Sequence, residues 1–342
     1  MDPIVAYVLF IIALALLFDF SNGLNDAANS IATVVATRVL SPRLAVIWAA
    51  FFNFVAAFGF STHVARTIGK DLVQPHVVSP HLVLAALLAA ILWTIICTWK
   101  GLPISVSHAL IGAMAGAALV QGGPAALNWK PIVIIAVFIV CSPLIGLVLG
   151  GLTMVVTLWT CRRRTPRGVD HVFRGLQLMS AAVYSLSHGL NDAQKTMGII
   201  FALLMSVPAL QSWATHSGDP ASNQLAWWIK LSCGAAIALG TYLGGWKVVH
   251  TLGNRVTKLK PVDGFCAETG GGMTILALSH FGIPVSTTHT ITGSIFGVGA
   301  VRRFSAVRWG VGYDIAAAWV LTLPVSGAIA AAFYALLMRV VR

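Results

Sequence analysis

Apolar residues gather in long unbroken runs rather than in helical stripes or strict alternation. The clearest runs cover 3 to 18, 43 to 60, 82 to 97, 131 to 159 and 309 to 338, each at or near the roughly 20 residues that span a hydrocarbon core. Each predicts a helix that crosses or enters a membrane. A transmembrane β-barrel would instead need alternating polar and apolar positions, and the chain has none of that pattern.

Composition sharpens this reading. Of 342 residues, 58% are hydrophobic and only 9% charged, with a mean hydropathy of +0.86, so a soluble surface cannot be assembled. The net charge of +12 does not point to nucleic acid, because Lys and Arg sit in short stretches between apolar runs, where they act as topology signals. The five cysteines lie in or beside apolar runs without zinc-like spacing, so no redox or metal role is assigned to them. The first run has no basic leader and continues into SNGLND instead of a small-residue cleavage site, so it is expected to remain as a membrane helix. Together these features predict an all-α polytopic membrane protein.

The chain repeats itself. FDFSNGLNDA from Phe18 matches YSLSHGLNDA from Tyr184 at six of ten positions, where random overlap gives roughly one. GLPISVSHALIG from Gly101 likewise matches GIPVSTTHTITG from Gly282. The motifs recur in the same order, offset by 166 and 181 residues. Two homologous halves are therefore expected at 1–159 and 176–342, joined by a basic linker at 160–175 that holds Arg162, Arg163, Arg164, Arg167 and Arg174.

Short cytoplasmic loops are enriched in Lys and Arg. The second half carries Lys247, Arg255, Lys258, Lys260, Arg302, Arg303 and Arg308 in loops whose first-half equivalents hold only Arg66, Lys70 and Lys130. Conversely, Arg38 and Arg43 follow the first GLND, whereas 208 to 226 has no Lys or Arg. Equivalent loops then face opposite sides, which is an inverted-topology repeat with an odd number of crossings per half. With the basic linker in the cytoplasm, parity predicts helices broken at both GLND segments and both termini external. The Gly-x-Pro turns at 101–103 and 282–284 form either re-entrant hairpins, the favoured reading, or pairs of full spans.

Pro103 and Pro284 stand where helices are expected to begin, followed by Ser105, Ser107, Ser286, Thr287 and Thr288. A helix N-terminus with hydroxyls nearby can cradle an oxyanion, although Pro and Ser also mark ordinary capped helices. Asp26 and Asp192, beside Asn25 and Asn191, are carboxylates at membrane depth, suited to a coupling Na⁺ or H⁺ or to capping a resumed helix. Glu268, the only glutamate, has Leu87 as its repeat counterpart. It is read either as a coupling group or as a protonated, packed side chain. Lys195 beside Gln194 serves either an anionic substrate or an internal pair with Asp192, and Asn29 and Ala28 occupy that region in the first half. His108, His289 and His188 read mainly as structural donors, with a proton relay as the other reading.

These duplicated motifs resemble the inorganic phosphate transporter (PiT) family of cation-coupled symporters, with similarity from Phe18 to about Gly299. SHGLNDAQKTMGI at 187 to 199 and ETGGGMTILALSHFGIPVSTTHTITG at 268 to 293 resemble bacterial members most closely. The resemblance implies uptake of phosphate, free or as a metal complex, across the plasma membrane by a homodimer. It implies a phosphate site at Ser105, Ser107, Ser286, Thr287 and Thr288, with Asn25, Asn191, Gln194 and Lys195 beside it. It implies cation coupling through Asp26, Asp192, Asn29 and Glu268, with no further cofactor. Ser107 stands where Thr is more usual in the family. Sulfate is the alternative oxyanion. A lipid-pyrophosphate phosphatase would need an arginine near the breaks to stabilise phosphoryl charge, and none lies there; a passive channel would not need the buried carboxylates.

Overall fold

A computed structural model describes residues 2–58, 63–217, 224–283 and 285–340, and among them the protein is helical without a sheet. The first half runs α1 (Pro3–Ala36), α2 (Pro42–Val55), α3 (His63–Arg66), a π-helical turn at Thr67–Asp71, α4 (Pro80–Lys100), α5 (Val106–Gly122) and α6 (Trp129–Cys161). The second runs α7 (Pro166–Met205), the single-turn α8 (Gln211–Ala214), α9 (Trp227–Leu243), α10 (Trp246–His250), a π-helical turn at Thr251–Arg255, α11 (Pro261–His280), α12 (Thr287–Arg303) and α13 (Trp309–Val340). Apart from α8, the order of elements repeats. Starts are marked by the sequence: Ser41, Ser79 and Thr165 each cap a helix whose next residue is Pro, a pairing that meets an otherwise orphaned N–H and presets φ.

Among the described residues, α1, α4, α6 and α13 are long and apolar enough to cross a membrane. At 1.5 Å per residue, the 33-residue α6 is about 50 Å long, more than the roughly 30 Å core requires. Its exposed face carries Val133, Val137, Val140, Leu144, Val148, Leu152 and Val156, a continuous apolar stripe that water would not tolerate and lipid does. Trp129 and Trp159 mark its two ends, where amphipathic rings settle at a bilayer surface, and the Arg162 guanidinium lies 4.5 Å from the Trp159 ring centre.

Helix α7 is also long, at 40 residues, yet its middle is polar. Ser185, Ser187, His188, Asn191, Asp192, Lys195 and Thr196 are all buried there. The expected breaks at GLND are not found, since α1 and α7 each run through their motif as continuous helices. The glycines serve close approach instead of a kink. A Cβ on Gly23 would sit 2.2 Å from the Ile237 carbonyl oxygen of α9, and one on Gly189 would sit 2.7 Å from the Asn53 carbonyl oxygen of α2. The polar side chains find partners on other helices, so the backbone keeps its own hydrogen bonds and no interruption is needed.

The halves interlock. Helix α12 of the second half packs on α6 of the first, and α5 of the first packs on α13 of the second. Small residues make both contacts possible, as is usual between membrane helices. Gly293 and Gly297 lie against Pro143 and Leu147, and Gly112 and Gly116 lie against Leu323 and Gly327. The glycines on α5 and α12 are separated by the same 181 residues as the turn motifs. Each hairpin turn is held by the opposite half: Thr251 Oγ1 donates to the Gly101 carbonyl at 2.9 Å, and Thr67 Oγ1 donates to the Gly282 carbonyl at 2.9 Å.

Gly116 and Gly297 would each place a Cβ 2.0 Å from a facing carbonyl oxygen. Gly116→Val and Gly297→Val are therefore expected to lower the melting temperature in detergent sharply or abolish folded expression, whereas Gly175→Ala, with open space around it, should leave it unchanged or slightly raised. Thermal unfolding of the purified variants checks this; a Gly297→Val protein as stable as the parent would contradict the interlock.

Candidate functional site

The duplicated motifs converge on one buried cluster. Helices α1 and α7 bring Asp26 and Asp192 to the same edge of His188, whose Nε2 lies 3.7 Å from Asp26 Oδ2 and 3.4 Å from Asp192 Oδ2. The other ring nitrogen, Nδ1, is 3.1 Å from Asn53 Oδ1, and Asn53 donates to Thr241 Oγ1 at 2.9 Å. This chain holds the ring with Nε2 turned toward both carboxylates. All of these side chains are buried. Donor atoms of Asp26, His188 and Asp192 lie within 4.8 Å of one another, a spacing that one small cation could bridge.

Lys195, one helical turn past Asp192, donates to Asp192 Oδ1 at 2.6 Å, to Ser107 Oγ, and to the Val285 carbonyl at 3.1 Å. The internal ion pair is thus made. A carboxylate and an ammonium removed from water need each other and further hydrogen bonds, and the two turns supply those. Asn191 Nδ2 donates to Asp192 Oδ1 at 2.8 Å and to the Val285 carbonyl at 2.9 Å, while Asn191 Oδ1 accepts from Ser279.

The hydroxyl turns face this cluster. Helix α5 begins at Val106, past Pro103, with Ser105 Oγ accepting from the His108 N–H at 3.2 Å. Ser286 does the same for the His289 N–H at 3.2 Å; Pro284 lies outside the described residues. Pro103 therefore sits in the turn and serine is the cap. Each capping oxygen spends a lone pair on its helix and keeps its O–H to donate. Thr288 Oγ1 donates to Asp26 Oδ1 at 3.1 Å, and Thr287 Oγ1 donates to Asp192 Oδ2 at 3.5 Å. Asn29 Nδ2 reaches both threonines, at 2.9 and 3.3 Å, and Tyr184 holds the first turn of α12 by donating to the Thr287 carbonyl.

Neither aspartate caps a helix, because both lie inside one. The buried Oδ1 atoms of Asn25 and Asn29 have no hydrogen-bond partner, although Asn25 Nδ2 donates to Thr98 at 2.7 Å. Two of the expected residues lie elsewhere. Gln194 Oε1 accepts the Val64 and Ala65 amides of α3 at 3.0 and 3.3 Å, and so ties that short helix to α7. Glu268 sits in its own constellation, accepting from Thr33 at 2.6 Å, from Gln177 at 3.1 Å and from Ser180. Thr33 is seven residues beyond Asp26, about 10 Å along α1. His108 and His289, equivalent in the two turn motifs, touch edge to face with centroids 4.9 Å apart, and His289 stacks on Trp319 at 3.9 Å. Trp319 in turn donates to the Pro103 carbonyl.

A model of the phosphate transporter family matches residues 22–330. The chain belongs to the phosphate transporter family. It is 52% identical over 336 residues to a protein of Rhizobium meliloti named "Probable low-affinity inorganic phosphate transporter", covering 98% of each chain. A Bacillus subtilis protein with the same name is 41% identical over 339 residues, covering 98% of this chain and 99% of its own. Among solved structures, "The sodium-dependent phosphate transporter" superposes with a TM-score of 0.85 at 27% identity, covering 98% of this chain and 99% of that one. Family membership makes this protein an all-α membrane transporter and not an enzyme.

Sequence reasoning named His188 only as a structural donor or proton relay and missed Asp19, Asn53, Gln177 and Ser180. Asp19 is matched by Ser185 in the second half, so alignment of the halves hid it; the signal that finds it is the ionisable type itself within an apolar run. Gln177, Ser180 and Asn53 carry no such signal.

Removing Lys195 would strand Asp192. Lys195→Met is expected to cost about 3 to 5 kcal/mol, and Lys195→Met with Asp192→Asn should be more stable than Lys195→Met alone. Thermal unfolding of the single and double variants measures the coupling; equal losses would mean that the pair contributes nothing.

Proposed function

We propose that the protein imports inorganic phosphate by symport with a cation, Na⁺ or H⁺, exchanging access to one site between its two halves at mid-membrane. The observation that carries this reading is the meeting of both duplicated motifs at one buried point: two carboxylates joined through His188, faced by two hydroxyl-bearing helix starts. The family and the names of the relatives support phosphate as the anion.

In this reading Ser105, Ser107, Ser286, Thr287 and Thr288, with the N–H groups of the first turns of α5 and α12, donate to the phosphate oxygens. Lys195 stands ready to transfer part of its bonding from Ser107 to the anion, with Asn25 and Asn191 at the margin. Asp26, Asp192 and the unpartnered Asn29 oxygen supply the hard oxygen ligands that suit an alkali cation. Glu268 couples more distantly, and Gln194 acts through α3. Cation and anion then screen each other in a low-dielectric site, which makes joint binding more favourable than either alone.

The exchange-related pairings, α6 with α12 and α5 with α13, support an inverted repeat in which α4–α5 and α11–α12 are re-entrant hairpins. Residues 1–159 and 176–342 then form the halves and 160–175 the cytoplasmic linker, with both termini outside the plasma membrane.

Uptake of labelled phosphate into liposomes holding the purified protein tests transport directly. Na⁺ and pH gradients are imposed separately, magnesium is supplied or chelated, and sulfate is the competitor. Accumulation driven by one of the gradients and resisted by excess sulfate is expected, and Asp26→Asn and Asp192→Asn should each abolish it while the proteins remain folded. Normal gradient-driven accumulation by either variant would remove that aspartate from the coupling site; preferential uptake of sulfate would reassign the anion.

Topology is testable with single cysteines in a protein whose five native cysteines have been replaced. Cysteines at Asp71 and Ser217 should be labelled from outside intact cells, and those at Thr165 and Lys258 protected. Labelling of positions 71 and 258 from the same side would contradict inversion.

A further inference from the structure

Seven residues before Asp26, α1 carries a second carboxylate, Asp19, which has no part in the cluster described above. It is fully buried, and neither of its oxygens has a hydrogen-bond partner. The Thr196 hydroxyl of α7 faces it, also without a closed hydrogen bond. The ionisable groups around it are Asp192, His188 and Lys195 of α7 and Cys233 of α9. Helix α4, also packed on α1, carries its charged groups, His81 and Lys100, near its two ends, and α5 has only His108.

The two nearby basic side chains are already committed. Lys195 is paired with Asp192, and His188 stands between Asp192 and Asp26, so neither ion-pairs with Asp19. A bare carboxylate at this depth is not sustainable without a counter-cation. An alkali ion needs a cage of several oxygens, and among the described residues Asp19 joins no cluster of ligating side chains. A proton needs only the carboxylate, and a protonated Asp19 gains the O–H donor that the idle Thr196 oxygen can accept.

We propose that Asp19 is the proton-carrying residue of the transport cycle. Resting on the phosphate-symport reading above, this assigns the proton as a coupling ion and places it on a carboxyl group separate from the phosphate and Asp26–Asp192 cluster. The carboxylate takes a proton from external water when the site faces outward. It crosses as the neutral acid together with bound phosphate and returns the proton to cytoplasmic water when the site opens inward.

The test uses the full-length protein in liposomes, with two readouts: accumulation of labelled phosphate under an inward pH gradient without Na⁺, and exchange of labelled for unlabelled phosphate at equal concentration and pH on both sides. Exchange needs no net proton movement. Asp19→Asn, which mimics the protonated acid, is expected to keep exchange and lose gradient-driven accumulation, together with the internal acidification that accompanies phosphate entry. Asp19→Glu should accumulate phosphate with a displaced pH profile. Parental accumulation by Asp19→Asn overturns the proposal, as does loss of exchange along with accumulation, or an Asp19→Glu protein as defective in accumulation as Asp19→Asn. A parent protein driven by a Na⁺ gradient alone also overturns it and leaves phosphate symport standing, whereas a parent protein that neither exchanges nor accumulates phosphate removes the transport reading itself.

Discussion

An ionised side chain inside a bilayer must be matched where it sits. That constraint organises the centre of this protein. Asp192 is matched by Lys195 and His188, Asp26 by His188 and Thr288, and Glu268 by three donors from two helices. Apart from the Asp192–Lys195 and Asp192–His188 contacts within α7, these matches cross from one helix to another, so the polar core ties α1, α7, α11 and α12 together more specifically than apolar contact could, lipid tails being as apolar as any side chain. The glycine seams follow from the same need: helices must approach closely for short side chains such as Asn, Thr and Ser to reach across.

Function follows from the margins of that matching. The cluster is nearly but not fully satisfied, with idle acceptors on Asn25 and Asn29 and a Lys195 shared among three oxygens. On the proposed reading, these acceptors would take the cation and the surrounding donors the anion. The capping serines fit this pattern, since each holds its helix start with a lone pair while keeping a proton to donate.

Much of this was legible in the sequence. The apolar runs 3 to 18, 82 to 97, 131 to 159 and 309 to 338 each became helix, because a long apolar run in lipid has no other way to satisfy its backbone. The 166- and 181-residue offsets led to the aspartates and hydroxyls that meet in space. What misled was the glycine in GLND: read as a break, it is instead a contact point, and only the facing carbonyls of Ile237 and Asn53 reveal the difference. Pairings that depend on helix rotation, such as Gln194 with the start of α3 or Glu268 with Gln177 and Ser180, leave no trace in spacing. Asp19 was hidden because its repeat partner is a serine.

The central claim is that cation and phosphate meet in one electrostatically linked site. Calorimetric titration of phosphate into the purified protein, across a range of Na⁺ concentrations and of pH, tests it most directly. The account predicts that phosphate affinity rises with Na⁺ or with proton concentration beyond the anion's own titration, that the same factor appears when the order of addition is reversed, and that a Na⁺ dependence vanishes in Asp26→Asn and a proton dependence in Asp19→Asn. Phosphate binding of unchanged affinity across both ranges would contradict it.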